Sequence, residues 1–391
     1  MNSLQRGIID LLKSCLTGQK AAFDQEFDWE LAYKIGKSHQ ILPMLYYGAL
    51  ESEWTVPDQI GTRLETNTFQ CVFIDQNQLY EISQIEKQFE ENEIDYLPLK
   101  GSNLKYLYPK TEMRTMGDAD ILIRTEQYEK IKPVMQQLGY EEILESDHEL
   151  IWDKRGALHL ELHKRLIPSY NKDYYAYFGD GWKLAHKTNS SKYEMCDEDQ
   201  FIYLFAHYAK HYRDAGIGIR HLTDLYVFLN VKRDTDMAYV ERELEKLQLL
   251  SFYKNSLETI DVWFHGKEDS QMSDFMTNKI FGSGSYGTYE NHLLSDGLKT
   301  SKSTKKEYVK RRKILKLIFP SAKALSKKYT VLKKMPFLLP FVWIYRWIGA
   351  LLFKRNAIKA QQDKVNFMTT DNISCYQDEL NYVGLDFNFE E

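Results

Sequence analysis

Three stretches decide the reading of this chain: residues 97–102, LPLKGS; residues 117–123, GDADILI; and residues 157–163, ALHLELH. The first is a short apolar run that stops at Lys100-Gly101-Ser102 and leads into an expected helix over Asn103–Leu107. The second alternates like a strand, so Asp118 and Asp120, at i and i+2, project to one face. The third alternates strictly, with His159, Glu161 and His163 on one face and the leucines on the other. Between them, TEQYEKIKPVMQQL (125–138) has the pattern of an amphipathic helix, with Thr125 as N-cap and Gly139 as terminator. Strand-like runs follow at Tyr140–Leu144 and Glu149–Trp152. Strands alternating with helices in this way predict an α/β unit of about 75 residues.

Each stretch carries chemistry. Gly101 lets the backbone come close to a phosphate, and Ser102 adds a hydroxyl donor beside free N–H groups at a helix start. Two carboxylates on one face of an otherwise apolar strand repel each other. A hard divalent cation such as Mg²⁺, held by one or two carboxylates and substrate phosphates, offsets that repulsion. Glu161 supplies a third acid on a neighbouring polar face and can complete a two-metal site. Taken singly, a Gly-Ser pair or a DxD is an ordinary turn or exposed edge. The three together carry more than any one of them alone.

The flanks read as helical. Ile8, Leu11, Leu12 and Cys15 fall at helical spacing, Phe27-Asp28-Trp29 opens a second helix, Ile41–Leu50 a third, and Pro57 a long fourth one reaching about residue 93. Helices are expected again from Asp197, over Ile219–Asn230, and over 235–249 and 251–265. The Ser-, Gly- and Asn-rich residues 268–303 read as irregular. The expected organisation is α+β: an N-terminal helical region (1–93), a small mixed-sheet core (94–167), a helical substrate-side region (168–267), and a C-terminal part (268–391) of loop, basic helix, apolar segment and polar tail.

Composition bounds the function. Of the 391 residues, 51 are basic and 56 acidic, a net charge of −5 that gives no nucleic-acid signal. The four cysteines, Cys15, Cys71, Cys196 and Cys375, form no CxxC pair; this speaks against a zinc ribbon or disulfide framework and fits a reducing cytoplasm. Residues 302–334 carry 13 Lys or Arg against one acid, Glu307, and adjoin the apolar run MPFLLPFVWIYRWIGALLF (335–353). Pro336, Pro340 and Arg346 argue against a membrane span, leaving a buried hairpin or a peripheral membrane contact through 302–353.

The ordered set resembles the DNA polymerase β-like nucleotidyltransferase superfamily. It is most similar to a bacterial branch, the uncharacterised nucleotidyltransferases. The resemblance rests on Leu99-Lys100-Gly101, Leu107-Tyr108-Pro109, Arg114, Gly117–Ile123, Leu162-His163-Lys164-Arg165-Leu166, His207-x-x-Lys210-His211 and the Arg220…Asp224 pair. It implies a nucleotidyltransferase core embedded in helices, transferring a nucleoside monophosphate from an NTP to an acceptor hydroxyl with two Mg²⁺ ions. By position, Asp118, Asp120 and Glu161 look like the catalytic acids and metal ligands, with Glu161 activating the acceptor. Lys100, Gly101, Ser102 and Arg114 would hold the nucleotide phosphates. His163, His207, His211, Arg220 and Asp224 would face the cleft and bind substrate. The spacing of fifteen residues between Ser102 and Asp118 is longer than in compact superfamily members, and Lys100 replaces the first of two glycines. The rival expectations are a nucleotidyltransferase fold kept as a binding or regulatory module, and, against the large helical flanks, an antitoxin-like partner.

Overall fold

The computed structural model describes residues 1–21, 27–301, 318–326, 328–353 and 367–385. The chain forms two compact units. The first holds Met1–Tyr212, Gly216–Gly287 and the chain from Val383; the second holds Arg213–Ala215 and Thr288–Tyr382.

The first unit begins with helices. α1 (Ser3–Thr17) starts on an Asn2–Gln5 capping box and buries Ile8, Leu11 and Leu12; α2 (Trp29–Ser38) is capped by Asp28. α3 (Leu42–Ser52) packs on α1 so closely that a Cβ on Gly48 would lie 2.1 Å from the Leu11 carbonyl oxygen. α4 (Asp58–Glu91) follows Pro57 and turns Ile82, Ile85 and Phe89 inward.

The core sheet comprises β1 (Tyr96–Leu99), β2 (Ala119–Ile123), β3 (Glu141–Glu145), β4 (Glu149–Lys154) and β5 (Leu158–His163), in the order β1-β2-β5-β4-β3. β2 and β5 are parallel and the other pairs antiparallel, so the sheet is mixed and the architecture is α+β. Its apolar face presents Ala119, Ile121, Leu160, Leu162 and Trp152 to Ile82, Ile85 and Phe89 of α4 and to Ile131 and Met135 of α6 (Tyr128–Gln137). The alternation of period two makes the opposite face the polar one. Edge strand β3 exposes Glu141 and Glu145, charges that discourage edge-to-edge pairing.

Beyond the sheet come the short α5 (Gly101–Leu104), α7 (Lys172–Phe178), a hairpin of β6 (Ala185–Lys187) and β7 (Tyr193–Met195), and α8 (Asp197–Asp214). α9 (Ile219–Val231), α10 (Met237–Lys246), α11 (Leu250–Ile260) and α12 (Gln271–Ser283) complete the unit. In the second unit, α13 (Tyr289–Ser301) packs on the helix Thr370–Tyr382, where Gly297 meets Ile373. Helix Leu339–Phe353 is anchored by Trp343 and Trp347, whose indole N–H groups donate to the carbonyls of Pro320 and Ile318, with Phe319 edge-on to both rings. Among the described residues no helix is long and apolar enough to cross a membrane.

Three local expectations change. Within the stretch expected to be irregular, Gln271–Ser283 and Tyr289–Ser301 are helical: Ser270 and Ser273 form a capping box and Met276 and Ile280 give an apolar stripe that the Ser-rich composition hides. Thr125 does not cap α6; a 3₁₀ turn over Thr125–Gln127 intervenes. Asp118 lies one residue before β2 rather than within it. The basic run falls largely on residues 302–317, outside the described residues, as do 354–366 and the end of the tail.

A single histidine ties three helices together. His39, just past α2, accepts the Ile219 N–H at the start of α9 on Nδ1 (3.1 Å), so its proton sits on Nε2 and is donated to the Phe281 carbonyl in α12 (3.1 Å). Burial lowers its pKa from the ordinary 6.5. Below that value the unfolded chain binds a proton that the folded chain refuses, so stability is present above pH 6.5 and is lost as pH falls. We expect His39→Gln to be less stable at neutral pH but to lose less on going from about pH 7.5 to about pH 5.5, measured by urea midpoints.

Candidate active site

The polar face of the sheet gathers the acids. Parallel pairing sets Asp120 of β2 directly beside Glu161 of β5, and His163 lies two residues on from Glu161 on the same face. One ligand atom from each of Asp120, Glu161 and His163 lies within 4.8 Å of the others. Asp120 Oδ1 accepts from Lys100 Nζ at 2.7 Å and from His163 Nε2 at 2.7 Å. His163 Nε2 also lies 3.5 Å from Glu161 Oε2.

Lys100 reaches Asp120 from the turn between β1 and α5, where its φ is 42°, a left-handed conformation unusual for a lysine. Such strain persists where surrounding structure enforces it, and it clusters at functional sites. Burial opposes the Lys100 charge, but Asp120 overrides it and raises the pKa. Burial would likewise raise the Asp120 carboxyl; the Lys100 ammonium and the His163 hydrogen bond outweigh it and hold it well below the carboxylate range. Among the described residues Glu161 accepts no such hydrogen bond, and His163 and Lys100 only partly offset what burial does to it. Burial, then Asp120 and Asp118, push its pKa up. The pair is thus electrostatically asymmetric: one acid ionised and pinned, the other short of positive charge.

The remaining sequence-identified residues divide into four groups. Asp118 is exposed at the lip, outside the tight group but near enough to act on Glu161. Gly101 and Ser102 are buried; a Cβ on Gly101 would meet Met116 at 3.3 Å, and the Ser102 hydroxyl lies 4.0 Å from Met116 Sδ. Arg114 is buried, and its Nε donates to both oxygens of Asp224 at 2.9 and 3.1 Å. Tyr108 donates its hydroxyl to Asp224 Oδ1 at 2.7 Å. Arg220 donates to Gln40 Oε1 (2.7 Å) and to the Thr115 carbonyl (2.8 Å), and burial with Arg114 beside it lowers its pKa to about 10. Arg114, Arg220 and Asp224 therefore clamp the loop that delivers Asp118 onto α9. His207 and His211 face each other on α8, Nε2 to Nε2 at 3.0 Å. Burial, followed by Lys100, drives the His207 pKa far down, which keeps it neutral.

Sequence reasoning passed over two residues here. Tyr203 of α8 is almost wholly buried, its hydroxyl has no hydrogen-bond partner among the described residues, and its pKa is pushed up to about 12 by burial against the opposing effect of Lys100. Lys100 and Tyr203 also line a cavity of about 190 Å³ with Leu99, Asn103, Gln200 and Lys232. The tyrosine falls on the inward stripe of α8, where it is indistinguishable by spacing from a core residue. The second is His148, whose ring centroid is 5.0 Å from that of His163. Only strand register brings it there.

Asp120, Glu161 and His163 stand close enough together to hold a metal ion. The clamp makes a stability prediction. Asp224→Asn strips the counter-charge from Arg114 while keeping the shape, and removing one partner of a buried pair costs about 3–5 kcal/mol; chemical denaturation measures it.

No curated protein and no solved structure matches the chain. The model of one protein family, described as uncharacterised nucleotidyltransferase, matches residues 25–265, more than half of the chain and all of the acids, clamp and histidines above. The chain belongs to the uncharacterised nucleotidyltransferase family.

Proposed function

We propose that the protein is a Mg²⁺-dependent nucleotidyltransferase that moves a nucleoside monophosphate from an NTP to an acceptor hydroxyl, and that its core is of the DNA polymerase β-like kind. The observation that carries this reading is the in-register pairing of Asp120 with Glu161 at the polar face, with Asp118 at its lip. The residues fit a cation: Glu161 is destabilised by its acidic neighbours, and Asp120 already binds the positive charge of Lys100. Asp118, Asp120 and Glu161 would hold the metal, whose charge would neutralise the phosphates of the transferring group.

The chain's own groups do the rest. Lys100 offers a positive charge to the phosphates when it leaves Asp120. Glu161, raised by burial, is suited to accept the proton of the acceptor hydroxyl as its oxygen bonds to the α-phosphorus and pyrophosphate departs. Tyr203, whose hydroxyl has no partner among the described residues, can donate at the cavity it shares with Lys100. Catalysis of this kind is mainly positioning and charge stabilisation. One observation favours the rival, a binding module without turnover: Lys100 Nζ occupies the Asp120 oxygen that a metal would use.

A thermal-shift panel of the four NTPs with Mg²⁺ separates the two, followed by pyrophosphate release with candidate acceptors. A ligand at about 100 times its Kd adds about 2.7 kcal/mol of apparent stability. We expect one NTP to stabilise the wild type in a Mg²⁺-dependent manner and Asp120→Asn and Glu161→Gln to abolish that dependence. Stabilisation by an NTP that ignores both Mg²⁺ and these substitutions would favour the binding module; no shift in a folded protein would overturn the nucleotide reading.

A further inference from the structure

The polar face continues past the acids. Glu149, the first residue of β4, pairs directly with His163 of β5, and directly opposed residues of antiparallel strands share a face. His148 immediately precedes Glu149. One ligand atom from each of His148, Glu149 and His163 lies within 4.8 Å of the others, a group that shares only His163 with the one formed by Asp120, Glu161 and His163. From this we propose that His148, Glu149 and His163 form a second metal site, one for a borderline divalent transition metal of the zinc type.

Three independent features support it. First, the ring nitrogens are available. Nδ1 of His163 and Nδ1 of His148 are both buried, and neither has a hydrogen-bond partner among the described residues. His163 itself is only 2 % exposed. Buried polar atoms without partners cost free energy and call for an explanation.

Second, the tautomer is set. His163 Nε2 faces the Asp120 carboxylate at 2.7 Å, and a carboxylate only accepts, so Nε2 carries a proton and the neutral ring has its lone pair on Nδ1. A metal-bound imidazole has this arrangement: one nitrogen coordinates and the other donates to a carboxylate, which fixes the ring.

Third, the turn is built. The Ser146 hydroxyl accepts the backbone N–H groups of His148 (3.2 Å) and Glu149 (3.0 Å), and the Lys164 N–H donates to the His148 carbonyl at 2.8 Å. The backbone that carries two of the three ligands is therefore anchored to itself and to the end of β5. Two imidazoles and one carboxylate suit Zn²⁺ or Co²⁺, whereas Mg²⁺ prefers the all-oxygen set next door. Three protein ligands leave a fourth position open. The site's consequence for its neighbour is positional: a metal on Nδ1 fixes the imidazole that holds Asp120.

The test uses the full chain, stripped by a chelator and then dialysed against Zn²⁺ in a large excess of Mg²⁺, with bound zinc measured by elemental analysis. We expect one equivalent to be retained, His148→Ala to weaken retention by about tenfold or more, and Asp118→Asn to leave it unchanged. Equal retention by His148→Ala and the wild type, displacement by Mg²⁺, or loss in Asp118→Asn would place the zinc at the acids and overturn the proposal. Should His148→Ala fail to fold, the Co²⁺-loaded wild type decides: visible d–d bands with a paramagnetically shifted, exchangeable imidazole N–H support the site, and a spectrum lacking nitrogen ligation overturns it. Neither arm involves NTP, so the outcome is independent of the nucleotidyltransferase reading.

Discussion

Two carboxylates side by side on adjacent strands, largely removed from water, are the constraint around which the first unit is arranged. Coulomb repulsion between such groups grows as the local dielectric falls. Asp120 is relieved by two donors on a single oxygen, Lys100 and His163, whereas at Glu161 the same two groups only partly offset burial and the neighbouring acids. The left-handed turn at Lys100 follows from this: a lysine accepts that backbone because its ammonium is needed at Asp120. The electrostatic asymmetry of the pair is what makes it useful, since one acid stays ionised while the other is poised to take a proton or a cation.

The carboxylates need a rigid frame, and the frame is itself electrostatic. Arg114 and Tyr108 converge on Asp224, and Arg220 holds the Thr115 carbonyl, so the loop ending at Asp118 is held on α9 by buried polar contacts. Buried ion pairs seldom outdo well-packed hydrophobic groups in net stability; what they add is directional geometry. Lys105, fully buried against Asp75 at 2.5 Å, repeats the device one turn after Ser102. The apolar face of the same sheet, resting on α4 and α6, provides the hydrophobic stabilisation that carries these costs.

Much of the fold was legible because it depends on local periodicity. The alternation in ALHLELH sorts Leu160 and Leu162 from Glu161 and His163 before any neighbour is known, and the structure keeps that sorting. Helix starts at Asp28 and after Pro57 were readable from cap chemistry, which acts within one turn. The failures have the opposite character. Residues 268–303 look irregular by composition, yet Gly297 is helical because its bare backbone fits against Ile373, many residues away. Thr125 has the side chain of a cap, but the chain leaves β2 through a 3₁₀ turn that carries the helix start past it.

The same division holds at the site. The sequence by itself determined which residue types are present, their order, and the face of each strand on which Asp120, Glu161 and His163 stand, because side-chain direction in a strand follows from the two-residue repeat. Tertiary structure alone decided which strand lies beside which. Pairing β2 in parallel with β5, across an intervening helix and two strands, sets Asp120 against Glu161, and pairing β4 with β5 sets Glu149 against His163. It also gave Arg114 to Asp224 and brought Tyr203 to Lys100. These are contacts between residues far apart in the chain, fixed by register and burial, and no local pattern of side chains encodes register with a distant strand.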